Sequence, residues 1–174
     1  MFALLLTGPP GAGKTSVLTA LSDALSDADV PHAALEVEAL RWTHPPLSLE
    51  EEMRHLRTGC GLLRDSGHRV LLLARTIEDD LEMAAVLRAI DPDSYLVARL
   101  EAHPATLAAR ILAREPASWS GLEGLVAHAQ ELAKSMPGLG GVGLVYSTEG
   151  TRAEDVADRI IARCPDELGW TDRP

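Results

Sequence analysis

Short runs of consecutive apolar residues alternate with longer stretches in which apolar residues return every three or four positions. The first kind marks a strand buried on both faces, and the second a helix with one face turned inward. "FALLLT" (2–7) is a continuous apolar run closed by glycine and proline, after which Val17, Leu18, Leu21 and Leu25 follow at helical spacing. "AALEVEAL" (33–40) predicts a second strand, on which Glu36 and Glu38 alternate onto one face. Over 48–65 the spacing predicts a helix, with Ser48 at its N-cap, Glu51 three residues on as in a capping box, and Gly67 ending it. "HRVLLLART" (68–76) is the most apolar run and predicts a central strand, followed by a helix over 78–90 and a turn at "DPDS". "YLVARLEA" (95–102) predicts a fourth strand. Pro104 opens a helix running through Arg114, "EPASWSG" interrupts, and another helix covers 122–135. A last strand, "VGLVYS" (142–147), precedes a closing helix over 152–163.

Strands separated by helices form a βαβ series, so the fold class is α/β: a five-stranded parallel sheet with helices on both faces. Ligands of such sheets bind beyond the carboxyl ends of the strands, which directs attention to the residues just after 7, 38, 76, 102 and 147. Neither an internal repeat nor a second domain is visible. The expected organisation is one domain over 1–164, with a mobile cover around 115–121, and a loosely held polar tail over 165–174.

Composition narrows the partners. The 174 residues carry a formal charge of −10, with acids spread along the chain, which argues against a nucleic-acid partner because phosphate backbones are gripped by clustered Lys and Arg. No apolar run approaches the roughly 20 residues that a membrane span needs, and "MFALLLTGPP" lacks the basic leader and cleavage site of a signal peptide. Cys60 and Cys164 stand alone, without metal-ligand or C-x-x-C spacing, and read as two reduced thiols of a cytoplasmic protein. The six histidines are scattered and read as surface or packing residues.

The chemistry is concentrated in "TGPPGAGKTS" (7–16). Gly8 to Thr15 fits G-x-x-x-x-G-K-[ST] and lies between a predicted strand and a predicted helix, where a phosphate-binding loop must lie. Gly8, Gly11 and Gly13 let the backbone curl past Pro9 and Pro10, so that the successive N–H groups of Gly11, Ala12 and Gly13 can face phosphate oxygens at the positive end of the helix. Lys14, one of only two lysines in the chain, should reach the β- and γ-phosphates; Thr15 should ligate Mg²⁺ and Ser16 should hold the α- and β-phosphates.

Three machines use such a loop. "GPPGAGKT" resembles the loops of AAA+ motor ATPases, but those need an adjacent Asp-Glu pair ending an apolar strand, and here Arg75 and Thr76 occupy that place. A GTPase needs N-K-x-D, and the chain has no asparagine; its only D-x-x-G, Asp166 to Gly169, lies in the tail. A small-molecule kinase remains. Glu38, near the end of the second strand, is a carboxylate suited to holding Mg²⁺ or accepting a proton from an acceptor hydroxyl, and Glu36 is the other candidate. Arg110 and Arg114 share one flank of the helix before "EPASWSG", where arginines can neutralise charge on a moving phosphoryl group.

These parts together resemble the P-loop kinases of small molecules: the nucleoside monophosphate, shikimate, adenylylsulfate and gluconate kinases and chloramphenicol phosphotransferase. The resemblance covers residues 2–163, and its one highly specific motif is the phosphate loop. It implies a sheet order 2-3-1-4-5, ATP as phosphoryl donor with Mg²⁺, Glu38 at the family's usual Asp, Arg110 and Arg114 at its lid arginines, and "STEGTRAED" (147–155) beside adenine. The chain departs from the pattern in having Glu rather than Asp, and in lacking a Walker B acid; Asp79 and Asp80 fall a few residues late. Arg41, Trp42, Arg54, Arg57 and Arg75 are candidates to line the acceptor site. Several arginines would suit a phosphorylated or carboxylated acceptor, and a neutral hydroxyl compound would need fewer, so both classes stay open. The alternative to an enzyme is a nucleotide-binding regulator with little turnover.

Overall fold

The computed structural model describes residues 1–170; the end of the polar tail, 171–174, lies outside the described residues. Five strands, β1 (Phe2–Thr7), β2 (His32–Glu36), β3 (Val70–Ala74), β4 (Ser94–Glu101) and β5 (Leu144–Ser147), form one parallel sheet in the order β2-β3-β1-β4-β5. All six residues of β1 are buried, as expected of a strand with a neighbour on each side and helices on both faces. β1, not the more apolar β3, is the central strand, and β3 lies one place away from it.

The side-chain alternation of β1 divides the interior in two. Leu4 and Leu6 enter a core with Val17, Leu21 and Leu25 of α1 (Lys14–Asp27) and Val156 and Ile160 of α6 (Ala153–Ile161). Ala3 and Leu5 enter a second core with Met53 and Leu56 of α2 (Leu49–Asp65) and Met83 and Val86 of α3 (Asp80–Ile90). α2 begins with the capping box read from sequence: Ser48 Oγ accepts from Glu51 N at 3.3 Å, and Ser48 N donates to Glu51 Oε2 at 2.9 Å. α4 (Pro104–Arg114) and α5 (Leu122–Ser135) flank the interrupting segment, which turns through a bond from Trp119 N to Pro116 O at 3.0 Å.

Two expectations are corrected here. The second strand does not run through residue 40; it stops at Glu36 and the chain winds into a 3-10 turn over Val37–Arg41. Glu36 pairs with Ala74, the last residue of β3, so no partner strand extends further, and "VEALR" is made mostly of good helix formers. Glu36 and Glu38 therefore do not share a strand face. The tail is also tighter than its polarity suggested. Pro165–Leu168 form a short helix, α7, whose Leu168 is fully buried, and Trp170 lies against the same core as α1 and α6. Both cysteines are buried, and burial pushes their thiols up to about 11, which leaves them protonated and unreactive at neutral pH.

Candidate active site

The register of the sheet assembles the site. Leu6 lies opposite Ala74, the last residue of β3, and Ala98 of β4, so β1 and β3 end at nearly the same level while β4 runs on to Glu101 beside β5. The phosphate loop leaves β1 there, alongside Arg75 and Thr76 leaving β3. The loop's glycines are required by its path. Gly8 has φ 147°, and a Cβ on it would stand 2.3 Å from Leu100 O, too close for any side chain. Gly13, at the N-cap of α1, has φ 89°, a left-handed conformation that L residues adopt only under strain.

A cleft of about 630 Å³ opens over the loop. Its wall brings together Pro10, Gly11, Gly13, Lys14, Thr15 and Ser16 with Glu38, Trp42 and Thr76, and with Arg110, Arg114 and Leu125 from the helices on either side of the interruption. Residues separated by a hundred positions thus meet around one helix N-terminus, whose first turn contains no acidic residue, a composition that suits an anion. Thr15 and Ser16 are exposed in the cleft. The Lys14 ammonium is buried and donates to Gly8 O at 3.0 Å, Pro9 O at 3.4 Å and Thr76 Oγ1 at 2.8 Å. Burial pulls its pKa below the usual lysine value, opposed by the nearby carboxylates of Glu38 and Glu36.

Glu38 reaches the cleft because of the 3-10 turn. Its Oε1 accepts the Thr76 backbone N–H at 2.6 Å, which fixes the carboxylate beside the phosphate loop. Glu36 is not part of the cleft wall; its Oε1 is buried without a hydrogen-bond partner among the described residues. Thr76, which sequence reasoning noticed only as a missing acid, thus holds both Lys14 and Glu38. Its position at the end of an interior strand beside the phosphate loop was the signal available.

The two arginines of α4 line the cleft but are held differently. Arg110 Nη1 donates to Gly11 O at 3.1 Å and Thr148 Oγ1 at 2.9 Å, and Nη2 donates to Thr148 O at 2.7 Å, bolting the phosphate loop to the loop after β5. Thr148 had not been singled out from sequence. Arg114 is 59% exposed and pairs with its neighbour Glu115 at 2.7 Å. A smaller open pocket of about 290 Å³ shares Gly13, Ser16 and Arg110 with the cleft and is lined also by Val17, Thr148, Thr151, Ala153 and Val156.

Other candidates lie elsewhere. Arg75 is fully buried and does not line the cleft: its guanidinium bonds Glu52, and it donates to Glu82 Oε1 at 2.6 Å through Nη2 and 3.1 Å through Nε. Arg41 joins the same two carboxylates, at 3.2 Å to Glu52 Oε2 and 3.0 Å to Glu82 Oε1. Burial works against the Glu52 charge, but the guanidiniums of Arg75 and Arg41 outweigh it and hold the carboxyl below the usual carboxylate range. Arg54 and Arg57 face a separate groove with Arg88 of α3. Asp79 caps α3, accepting from Glu82 N at 2.8 Å, and Asp80 accepts from Gly140 N at 2.8 Å, so neither substitutes for the missing acid of β3.

No protein-family model matches the sequence, and no curated protein does. Solved structures do match over nearly the whole chain. A sugar kinase from a Janibacter species superposes with a TM-score of 0.67 at 17% identity, covering 99% of this chain and 99% of that one. A gluconokinase from Sinorhizobium meliloti matches with a TM-score of 0.61 at 16% identity, over 98% of this chain and 97% of its own. The tunicamycin resistance protein of Deinococcus radiodurans matches with a TM-score of 0.63 at 18% identity, over 99% and 98%. The fold is that of the P-loop small-molecule kinases. At these identities the likeness is one of fold, and the sheet order β2-β3-β1-β4-β5 agrees with it. Among the described residues no helix of this P-loop fold is long and apolar enough to cross a membrane.

Proposed function

We propose that the protein transfers the γ-phosphoryl group of ATP to a hydroxyl of a small molecule. The observation that carries this reading is the single cleft in which the phosphate loop, Glu38 and Arg114 meet. A phosphate donor fits the residues present: a helix N-terminus free of acids, a buried ammonium with only neutral acceptors in bonding distance, and exposed hydroxyls at Thr15 and Ser16. The adjoining pocket, walled partly by Thr148 and Thr151 of the "STEGTRAED" loop, suits the nucleoside end of the donor. Mg²⁺ fits as well, since it is commonly held by one or two carboxylates together with substrate phosphates, and Thr15 and Glu38 would supply the protein's share. Bound there, the ion would neutralise charge on the phosphates.

The chain's own groups then divide the work. Lys14 and the loop amides hold and orient the phosphates. Glu38, held through Oε1, keeps its other oxygen for the acceptor hydroxyl and takes its proton as the new P–O bond forms and the bond from the γ-phosphorus to the ADP oxygen breaks. Arg114 faces the cleft from the last turn of α4 and counters charge on the group in transit, while Arg110 keeps the phosphate loop and the Thr148 loop in register. The neighbours' names span sugar, gluconate and antibiotic chemistry, so the fold alone does not choose the acceptor.

The test is ADP release with Mg-ATP across nucleosides, sugars, shikimate-like acids and antibiotics, with Lys14→Ala as control. One class should stimulate release, and Mg-ATP should raise the melting temperature of the native protein but not of Lys14→Ala. A flat screen despite a Lys14-dependent thermal shift would favour a nucleotide-binding regulator without transfer.

A further inference from the structure

The acceptor side of the cleft is walled by Glu38, Trp42, Thr76, Arg114 and Leu125, and its charge balance can be read. Arg41 and Arg75, the cations nearest this wall in sequence, are both committed to Glu52 and Glu82; two guanidiniums and two carboxylates cancel. Arg110 is occupied by Gly11 and Thr148, and Lys14 by the phosphate loop and Thr76. Arg114 is the one cation left facing this side among the described residues, and Glu115 already stands 2.7 Å from it. Against it stands the Glu38 carboxylate, whose one hydrogen bond among the described residues is to the neutral Thr76 N–H and whose neighbouring cation, Lys14, is turned to Gly8 O, Pro9 O and Thr76 Oγ1.

A carboxylated or phosphorylated acceptor brought close enough for Glu38 to take its hydroxyl proton would carry a second negative charge into this wall. Two like charges at hydrogen-bonding range in a partly desolvated cleft repel far more than they would in bulk water. An acceptor without an anionic group meets no such penalty. Trp42 adds shape. It follows Arg41 at the end of the 3-10 turn, is 88% exposed, and belongs to the cleft wall. A flat indole face in a binding wall suits a ring laid against it.

Resting on the kinase reading above, we infer that the acceptor is an alcohol without anionic groups, carried on a ring that lies against Trp42. The test uses matched pairs with Mg-ATP: a nucleoside and its 5′-monophosphate, a methyl glucoside and the corresponding glucuronide, and a benzylic alcohol and its ring-carboxylated analogue. At least one neutral member should be phosphorylated, with kcat/KM at least about tenfold above its anionic partner. Trp42→Ala, at so exposed a position, should leave the fold intact and raise KM for that neutral acceptor about tenfold, with kcat changed far less. Higher kcat/KM for the anionic members would overturn the inference while leaving the kinase reading in place. An unchanged KM in Trp42→Ala would overturn the part assigned to the ring. No phosphorylation of any member, neutral or anionic, would overturn this inference, and the kinase reading would fall with it only if the wider ADP-release screen were also flat.

Discussion

Arg75 and Thr76 are adjacent in the chain, yet they enter two electrostatic regions built on opposite plans. Arg75 enters an ion-pair cluster in which it and Arg41 share Glu52 and Glu82, with Arg75 fully buried, Glu52 3% exposed and the Arg41 side chain 46% exposed. Thr76 enters the cleft, where it orients Lys14 and Glu38 without cancelling either charge. The first region pairs its two guanidiniums with two carboxylates. The second holds its charges at fixed positions by neutral backbone and hydroxyl groups, so their bonding capacity faces the cleft. A count of arginines therefore misleads about the substrate, because what matters is which of them are already answered by carboxylates.

The comparison breaks most sharply at Arg75. Arg75→Ala strands two carboxylates in the interior and should cost about 3–5 kcal/mol of stability, read from urea unfolding. Folded molecules of that variant should still bind Mg-ATP with affinity close to the native value. A fall in affinity without a fall in stability would mean that the ion-pair cluster belongs to the site.

In the cleft the expected loss is catalytic. Glu38→Gln should lower kcat about a hundredfold, with ATP affinity and melting temperature nearly unchanged. Glu36→Gln should keep full turnover, and the reverse result would transfer the role to Glu36. Arg114→Ala should lower kcat about tenfold with little change in ATP binding. Arg110→Ala should instead weaken ATP binding, because it frees Gly11 O and the Thr148 loop. Equal effects of the two arginine variants on both parameters would remove the distinction between them.

The smallest effect is in acid. The pKa of Glu52 in the folded state is held below its ordinary value of 4.5, so its stabilising contribution is complete above that pH and lost as pH falls through the lower folded value. Thermal unfolding followed from neutral pH down into that range should show the loss, and Glu52→Gln should flatten this part of the profile.

Local pattern carried the fold a long way. The continuous burial of β1, the capping box at Ser48 and Glu51, and the proline at the start of α4 follow from side-chain type and spacing, whose causes lie within a few residues. What local pattern missed depended on distant partners. β2 ends where β3 stops offering a ladder, so Glu38 is placed by a turn that no alternation within 33–40 foretold. Leu168 is buried because α1 and α6 leave room for it, although the residues around it are polar.

The sequence by itself determined the phosphate-loop motif and its place between a strand and a helix. "TGPPGAGKTS" needs only its own glycines, lysine and hydroxyls at a helix start to make an anion site, and all of these are contiguous. Only the tertiary structure decided which charges are paired with one another and which face the cleft. Pairing of Arg75 and Arg41 with Glu52 and Glu82, of Arg110 with Thr148, and of Glu38 with the Thr76 N–H joins segments that meet only when the sheet is assembled. Electrostatic interactions act over a few ångströms of space rather than over sequence distance, so the free or spent state of each charge comes into being with the fold.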